Sequence, residues 1–402
     1  MKKTILFVYV LFTLLITVSC RKNLTHISGA NASKQEYIIN LTIPTDEILK
    51  FKNTASASEE LFSVRARFKD VRNGNIIDVK GKDRLIKTTL PESDYDVEVV
   101  AYIRTTKKGK EVYKPYSTKT SLSSDDLIST ISLNSANPFI DLKIEEILFS
   151  GTSGTTRDQY VKITNTAQVS IMADGLVLME GAFVNSQHRV YTPDIIQTAF
   201  PVHALYMIPY DSWTEIGPNE SITIADQALN HTLDNPNSRD LSEADFEWYD
   251  GGFNSIDLDN PYVPNLDKIF CSIPAAWILN NRGLRSFAIG YIPVSTTSYL
   301  ANYTYAPTFI DFTGLVVTHP TIYSFPNEWI ADGINLCPAS NWQWNTFHSS
   351  IDAGYTGIGS GKGDPNRFDK SVVRKRNNMG ELIDTDDSTS DFNYDGQIPT
   401  IF

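Results

Sequence analysis

Asp384-Thr385-Asp386-Asp387-Ser388-Thr389-Ser390-Asp391 carries a side-chain oxygen at every position. Carboxylates and hydroxyls at that density can wrap a hard cation such as calcium, which makes Asp384, Asp386, Ser388 and Asp391 the candidate ligands. The stretch lacks the glycine and the distal bidentate glutamate of an EF-hand loop. The same side chains also bond nearby backbone amides in tight turns, so a calcium loop and a hairpin turn both stay open.

Other chemistry is sparse. Gly357-Ile358-Gly359-Ser360-Gly361-Lys362-Gly363 invites a phosphate-loop reading. Its first glycine is one residue too close, however, and Gly363 replaces the Ser or Thr that would hold magnesium. A surface turn is expected. His26, His188, His203, His231, His319 and His348 are scattered, with no pair at metal-site spacing. No His-Glu-x-x-His, Gly-x-Ser-x-Gly or Cys-x-x-Cys occurs, and the expectation is a protein that is not an enzyme. Beyond Cys20 only Cys271 and Cys337 remain. In an oxidising compartment they could pair, although two lone buried thiols would read the same way.

Binding chemistry concentrates between residues 245 and 350, where aromatic rings alternate with Asn and Asp. Trp248, Tyr249, Trp329, Trp342 and Trp344 are the candidate ligand- or partner-binding residues, because rings beside amides and carboxylates serve sugar faces and protein hot spots. Irregular structure also uses such rings as its core.

The elements that must position these residues read as strands. Residues 37–43, 61–68, 85–90 and 95–103 alternate with period two, and Asn73-Gly74-Asn75 and Pro91-Glu92-Ser93-Asp94 supply turns between them. This spacing predicts a small sandwich over residues 36–135, acting as stalk or spacer. Leu90-Pro91-Glu92-Ser93-Asp94-Tyr95-Asp96-Val97 resembles the turn of transthyretin-like and collagen-binding-B-type modules, with Ser93 where the pattern has Gly. A second unit is expected over 138–402. It opens with Leu142, Ile144, Glu146 and Leu148 on one strand face and Lys143, Glu145, Ile147 and Phe149 on the other. A loop from Gly151 to Asp158 then leads to a strand over 160–165, and Asn165 begins a turn.

The pattern over 141–178, with Gly217-Pro218-Asn219-Glu220-Ser221-Ile222-Thr223-Ile224-Ala225, Ser371-Val372-Val373-Arg374-Lys375 and the 384–392 stretch, resembles the lamin-tail domain, an Ig-like sandwich. Lys162 stands where that family has Glu, and insertions would fill about 181–206 and 226–345. Taken whole, residues 138–402 resemble a Bacteroidetes lipoprotein family of unknown function, through segments such as Asp234-Asn235-Pro236-Asn237-Ser238 and Pro326-Asn327-Glu328-Trp329-Ile330. That resemblance implies a loose association with outer-membrane uptake systems. The fold class expected is all-β: a small N-terminal β-sandwich, then an enlarged lamin-tail-like Ig β-sandwich with long loop insertions.

Residues 1–20 carry Lys2 and Lys3, an apolar run and Ser19-Cys20, and read as a signal peptide. Thr17-Val18-Ser19-Cys20 resembles a lipobox, so Cys20 is the expected lipidation site, followed by a polar tether over 21–35. Acyl chains would supply the membrane affinity. Arg21, rather than Asp, follows the cysteine, which favours an outer-membrane destination on either face. A net charge of −12 argues against nucleic acid, whose phosphates need a basic face.

The leading expectation is a non-catalytic outer-membrane lipoprotein that serves a TonB-dependent transporter, binding the barrel or its ligand through loops between 240 and 350. A carbohydrate-binding or adhesive surface module is the alternative. A hydrolase with carboxylates assembled from distant segments is a third.

Overall fold

The structure, a computed structural model, describes residues 33–42, 59–107, 110–155, 157–210, 212–251, 257–274 and 276–400. Cys20, the signal segment, most of the tether and His26 lie outside the described residues. No helix among those described is long and apolar enough to cross a membrane.

The first sandwich contains β1 (Lys34–Thr42), β2 (Glu59–Asp70), β3 (Ile76–Gly81), β4 (Leu85–Pro91), β5 (Tyr95–Lys107), β6 (Lys110–Leu122), β7 (Ile128–Ser132) and β8 (Asn134–Ser135). Its sheets have strand orders β4-β1-β7 and β3-β2-β5-β6-β8. Inward residues such as Tyr37, Ile39, Val64, Phe68, Val97 and Val99 form one buried cluster between them, as period-two alternation requires. Pro115 in β6 argues against a central strand. It is accommodated because the outer flank of β6 meets only the two-residue β8, at Tyr116 and Ser117.

The second sandwich opens with β9 (Leu142–Leu148), β10 (Tyr160–Asn165), β11 (Ile171–Met172), β12 (Leu176–Val184), β13 (Ala199–Met207), β14 (Glu215–Ile216), β15 (Ser221–Ala225) and β16 (Phe246–Glu247). It continues with β17 (Asp267–Cys271), β18 (Arg285–Tyr291), β19 (Thr304–Tyr305), β20 (Thr308–Ile310), β21 (Val316–Thr318), β22 (Ile322–Pro326), β23 (Ile330–Asn335) and β24 (Val372–Val373). One sheet runs β16-β15-β10-β9-β24; the other runs β19-β22-β13-β12-β18-β23, with β17 also on β13.

The protein is therefore all-β in two sandwiches. The regions 181–206 and 226–345 are more than loop insertions, since they contribute β13, β17, β18, β22 and β23, most of the second sheet. That sheet is covered on both faces. Leu176 and Leu178 of β12 face the inter-sheet core, while Val177 and Met179 face an outer layer with Phe200, Tyr299, Phe325 and Phe347.

The mixed pattern of β9 has a local cause. Lys162 opposes Glu146 and Ile163 opposes Ile144, so Glu145 is the extra residue of a β-bulge. The bulge brings Leu142, Ile144 and Ile147 to the same core. Val100 and Tyr102 of β5 enter that core as well, which makes the first sandwich part of the packing of the second rather than a free spacer.

Candidate functional site

The acidic stretch sits at the seam between the sandwiches and is held by cations of the chain itself. Lys143 Nζ lies 2.7 Å from Asp384, and Arg374 reaches Asp332 at 2.6 Å, Asp384 at 3.2 Å and Asp391 at 3.5 Å. Burial alone would lower the Lys143 ammonium, but Asp384 and Asp332 outweigh it and raise it to about 12. Burial likewise opposes ionisation of Asp384, yet Lys143 and Arg374 hold it well below the ordinary carboxylate range. Asp391 accepts from Thr385 N and Thr385 Oγ1, Ser388 Oγ donates to Asp352, and Asp387 caps the short helix Ser388–Asp391. Among the described residues no group of three or more His, Cys, Asp or Glu could hold a metal ion. Of the candidate calcium ligands, Asp384 faces Lys143 and Arg374, Asp386 lies 3.7 Å from Lys119, Asp391 accepts from Thr385, and Ser388 Oγ donates to the Asp352 carboxylate.

The five aromatic candidates are not brought together. Trp248 is fully buried, donating from Nε1 to Trp277 O at 3.2 Å. Trp329 packs among Tyr299, Tyr303 and Phe325. Trp344 donates to Val184 O and stacks near Phe183 and Tyr191. Tyr249 is half-buried. Of the five, Trp342 is the most exposed, while Tyr249, Trp329 and Trp344 are partly buried. Cys271 and Cys337 are free thiols, so the disulfide is not formed; burial pushes the Cys337 thiol up to about 12.

His203 lies between Ser272 Oγ, 3.3 Å from Nδ1, and Glu180 Oε2, 3.3 Å from Nε2. This is the order of a nucleophile, base and carboxylate. Glu180 is already bonded by Trp277 Nε1 at 2.7 Å and by Asn280 N, and His203 Nε2 completes no hydrogen bond. The glycine-rich loop is a turn, in which Asp364 accepts from Ser360 N and Ser360 Oγ.

Sequence reasoning missed the hairpin of β20 and β21. Phe309 pairs with Val317 and Ile310 with Val316. Asp311 Oδ1 ties the turn by accepting from Thr313 N at 2.8 Å, Thr313 Oγ1 at 2.6 Å and Leu315 N at 3.0 Å. Those bonds hold its carboxyl below the ordinary range. Phe312 at the tip is 100% exposed, flanked by exposed Ile310, Leu315 and Val316, with Val190 also exposed beside the base. The base is rigid: Thr192 and Thr308 exchange backbone bonds, and Arg189 lies over the Phe309 ring. The available signal was an apolar stretch, Phe309-Ile310-Asp311-Phe312-Thr313-Gly314-Leu315-Val316-Val317, whose two strands carry apolar residues on both faces.

Fold and surface together define a two-sandwich β protein in which buried carboxylates such as Glu180, Asp332 and Asp384 are committed to structural bonds and a hairpin tip with a fully exposed Phe312 stands in water. Residues 217–399 match the family described as a protein of unknown function (DUF4876). A crystal structure of a DUF4876 family protein from Bacteroides thetaiotaomicron is similar, at 17% identity and a TM-score of 0.56, over 91% of this chain and 96% of that one. At that identity the likeness concerns the fold. An adhesin candidate from Bacteroides ovatus aligns at 11% identity and a TM-score of 0.18, over 74% of this chain and 87% of that one. No curated protein matches the chain.

Proposed function

We propose that this chain is a non-catalytic binding protein, lipid-anchored through Cys20 at the outer membrane, that docks onto a protein partner through the 308–318 hairpin. The exposed tip carries the reading, because a fully solvated Phe312 among Ile310, Leu315 and Val316 is costly to leave in water unless something covers it. The turn is pre-ordered by Asp311, which limits the entropy lost on docking. That ionised carboxylate at the tip also disfavours insertion into hydrocarbon and favours an apolar pocket with a polar rim, as protein interfaces provide. The resemblance to Bacteroidetes lipoproteins makes the barrel of a TonB-dependent uptake system the first partner to test.

The test is mild-detergent affinity purification of the native protein from its outer membrane, with mass spectrometry of what accompanies it. A stoichiometric barrel is expected with wild type and should be lost from Phe312→Asp. Wild type emerging alone, or Phe312→Asp retaining the same partner, would sink the docking reading. Cys20→Ala should move the protein out of the membrane fraction; unchanged fractionation would overturn the lipid anchor alone.

A further inference from the structure

A second surface differs in chemistry from the hairpin and is carried by its own observation. Trp342 stacks on Tyr355 with ring centroids 4.6 Å apart and planes 12° apart. Trp342 is nevertheless 39% exposed, so the stack leaves part of the residue in solvent. The ring is fixed in place. Its Nε1 donates to Asn345 Oδ1 at 2.9 Å, Asn345 Nδ2 donates to Ala353 O at 2.9 Å, and the Trp342 backbone N–H closes a turn onto Pro338 O. Tyr394 joins that turn to the glycine-rich loop, accepting from Ala339 N at 2.8 Å and donating to Gly359 O at 3.2 Å.

The rim is amide-rich. Asn341 Oδ1 accepts from Lys362 N at 2.7 Å. Exposed Gln343 accepts from His188 N through Oε1 at 2.9 Å. A partly exposed flat ring held by hydrogen bonds, with the amides of Asn341 and Gln343 on either side of it in the chain, suits a ligand with an apolar C–H face and equatorial hydroxyls at its edge.

We infer that Trp342 and Tyr355 form the floor of a glycan-binding subsite, on which a neutral pyranose stacks against the exposed part of Trp342 while Asn341 and Gln343 donate to its hydroxyls. The site stands independently of the docking hairpin.

The test is isothermal titration of the full chain with cellohexaose, xylohexaose, mannohexaose and chitohexaose, with quenching of tryptophan fluorescence as a second readout. At least one oligosaccharide should bind. Trp342→Ala should weaken that binding by roughly tenfold or more, Trp342→Phe should largely retain it, and Phe312→Asp should leave it unchanged. If Trp342→Ala does not fold by circular dichroism, Asn341→Ala carries the same expectation of weakened binding. No binding by any of the four at millimolar concentration, or wild-type affinity in the folded Trp342 and Asn341 variants, would overturn the inference.

Discussion

Asp70 shows how one side chain can decide a turn. Ser93, the residue that departs from the Gly of the module pattern, is buried and donates from Oγ to Asp70 at 2.7 Å; Arg72 N donates to the same carboxylate at 2.9 Å. Tyr95 OH closes the corner onto Pro91 O at 2.6 Å. Ser93 therefore replaces the freedom of Gly with a bond to a buried acid. Burial works against ionisation of Asp70, but the bonds from Ser93 and Arg72 prevail and hold its pKa at about 2. The folded value lies below the unfolded one of about 3.9, so this contribution is present above about pH 4 and is lost as pH falls toward 2. Asp70→Asn should cost on the order of 2 kcal/mol at pH 7, a deficit that shrinks to roughly a third of that near pH 2.5. Urea unfolding at the two pH values checks it, and an equal deficit at both would refute the role given to the charge.

At the scale of elements, Arg374 ties three together. Its guanidinium, 1% exposed, donates through Nε to Ile144 O of β9, meets Asp332 of β23, and reaches Asp384 and Asp391 of the closing hairpin. Asp332 also accepts from Ile144 N at 2.7 Å. The arginine thus fastens the bulged stretch of β9, beside Glu145, to the second sheet and to the C-terminal segment. Arg374→Met would strip the direct counter-charge from buried Asp332 and Asp391 and leave Asp384 to Lys143 alone, at a cost of about 3–5 kcal/mol. Calorimetry should show a markedly lower melting temperature, and Asp332→Asn in the same chain should recover part of it. Near-wild-type melting of Arg374→Met would mean that the cluster adds little beyond packing. The strands around this node were legible as alternating segments. The bulge was legible only as a broken alternation, because its position depends on the register against β10.

For the whole molecule, the decisive feature is the seam. Asp141 receives Arg65 of β2 at 2.6 Å and Tyr102 of β5 at 2.8 Å. Lys80 with Glu381 and Lys119 with Asp386 extend the contact to more exposed positions, where salt screens such pairs and each adds little. A cleft of about 860 Å³ lies along this seam, lined by Arg67, Lys119, Lys143, Asp332 and Asp384 among others. Because Val100 and Tyr102 also share the apolar core of the second sandwich, the two sandwiches should unfold together. Wild type is expected to give one calorimetric transition that 0.5 M salt barely shifts. Asp141→Ala, which strips the counter-charge from a largely buried arginine, should destabilise by about 2 kcal/mol and separate the melting of the N-terminal unit. Two transitions already present in wild type would show that the seam does not couple them.

The sequence by itself determined the all-β class, the outline of the first sandwich and the strands around residues 142–165. These follow from alternation and turn residues, which act over a few positions and need no knowledge of partners. It also marked Trp342 as one ring among many. Tertiary structure alone decided which rings face water, since Trp248 and Trp342 differ in their neighbours rather than in residue type. It likewise assigned the acidic stretch to Lys143 and Arg374, which lie 241 and 10 residues from Asp384 (384 − 143 and 384 − 374). The apolar hairpin escaped notice for the same reason: Ile310 and Phe312 would suit a core equally well, and only the packing of every other element leaves them outside.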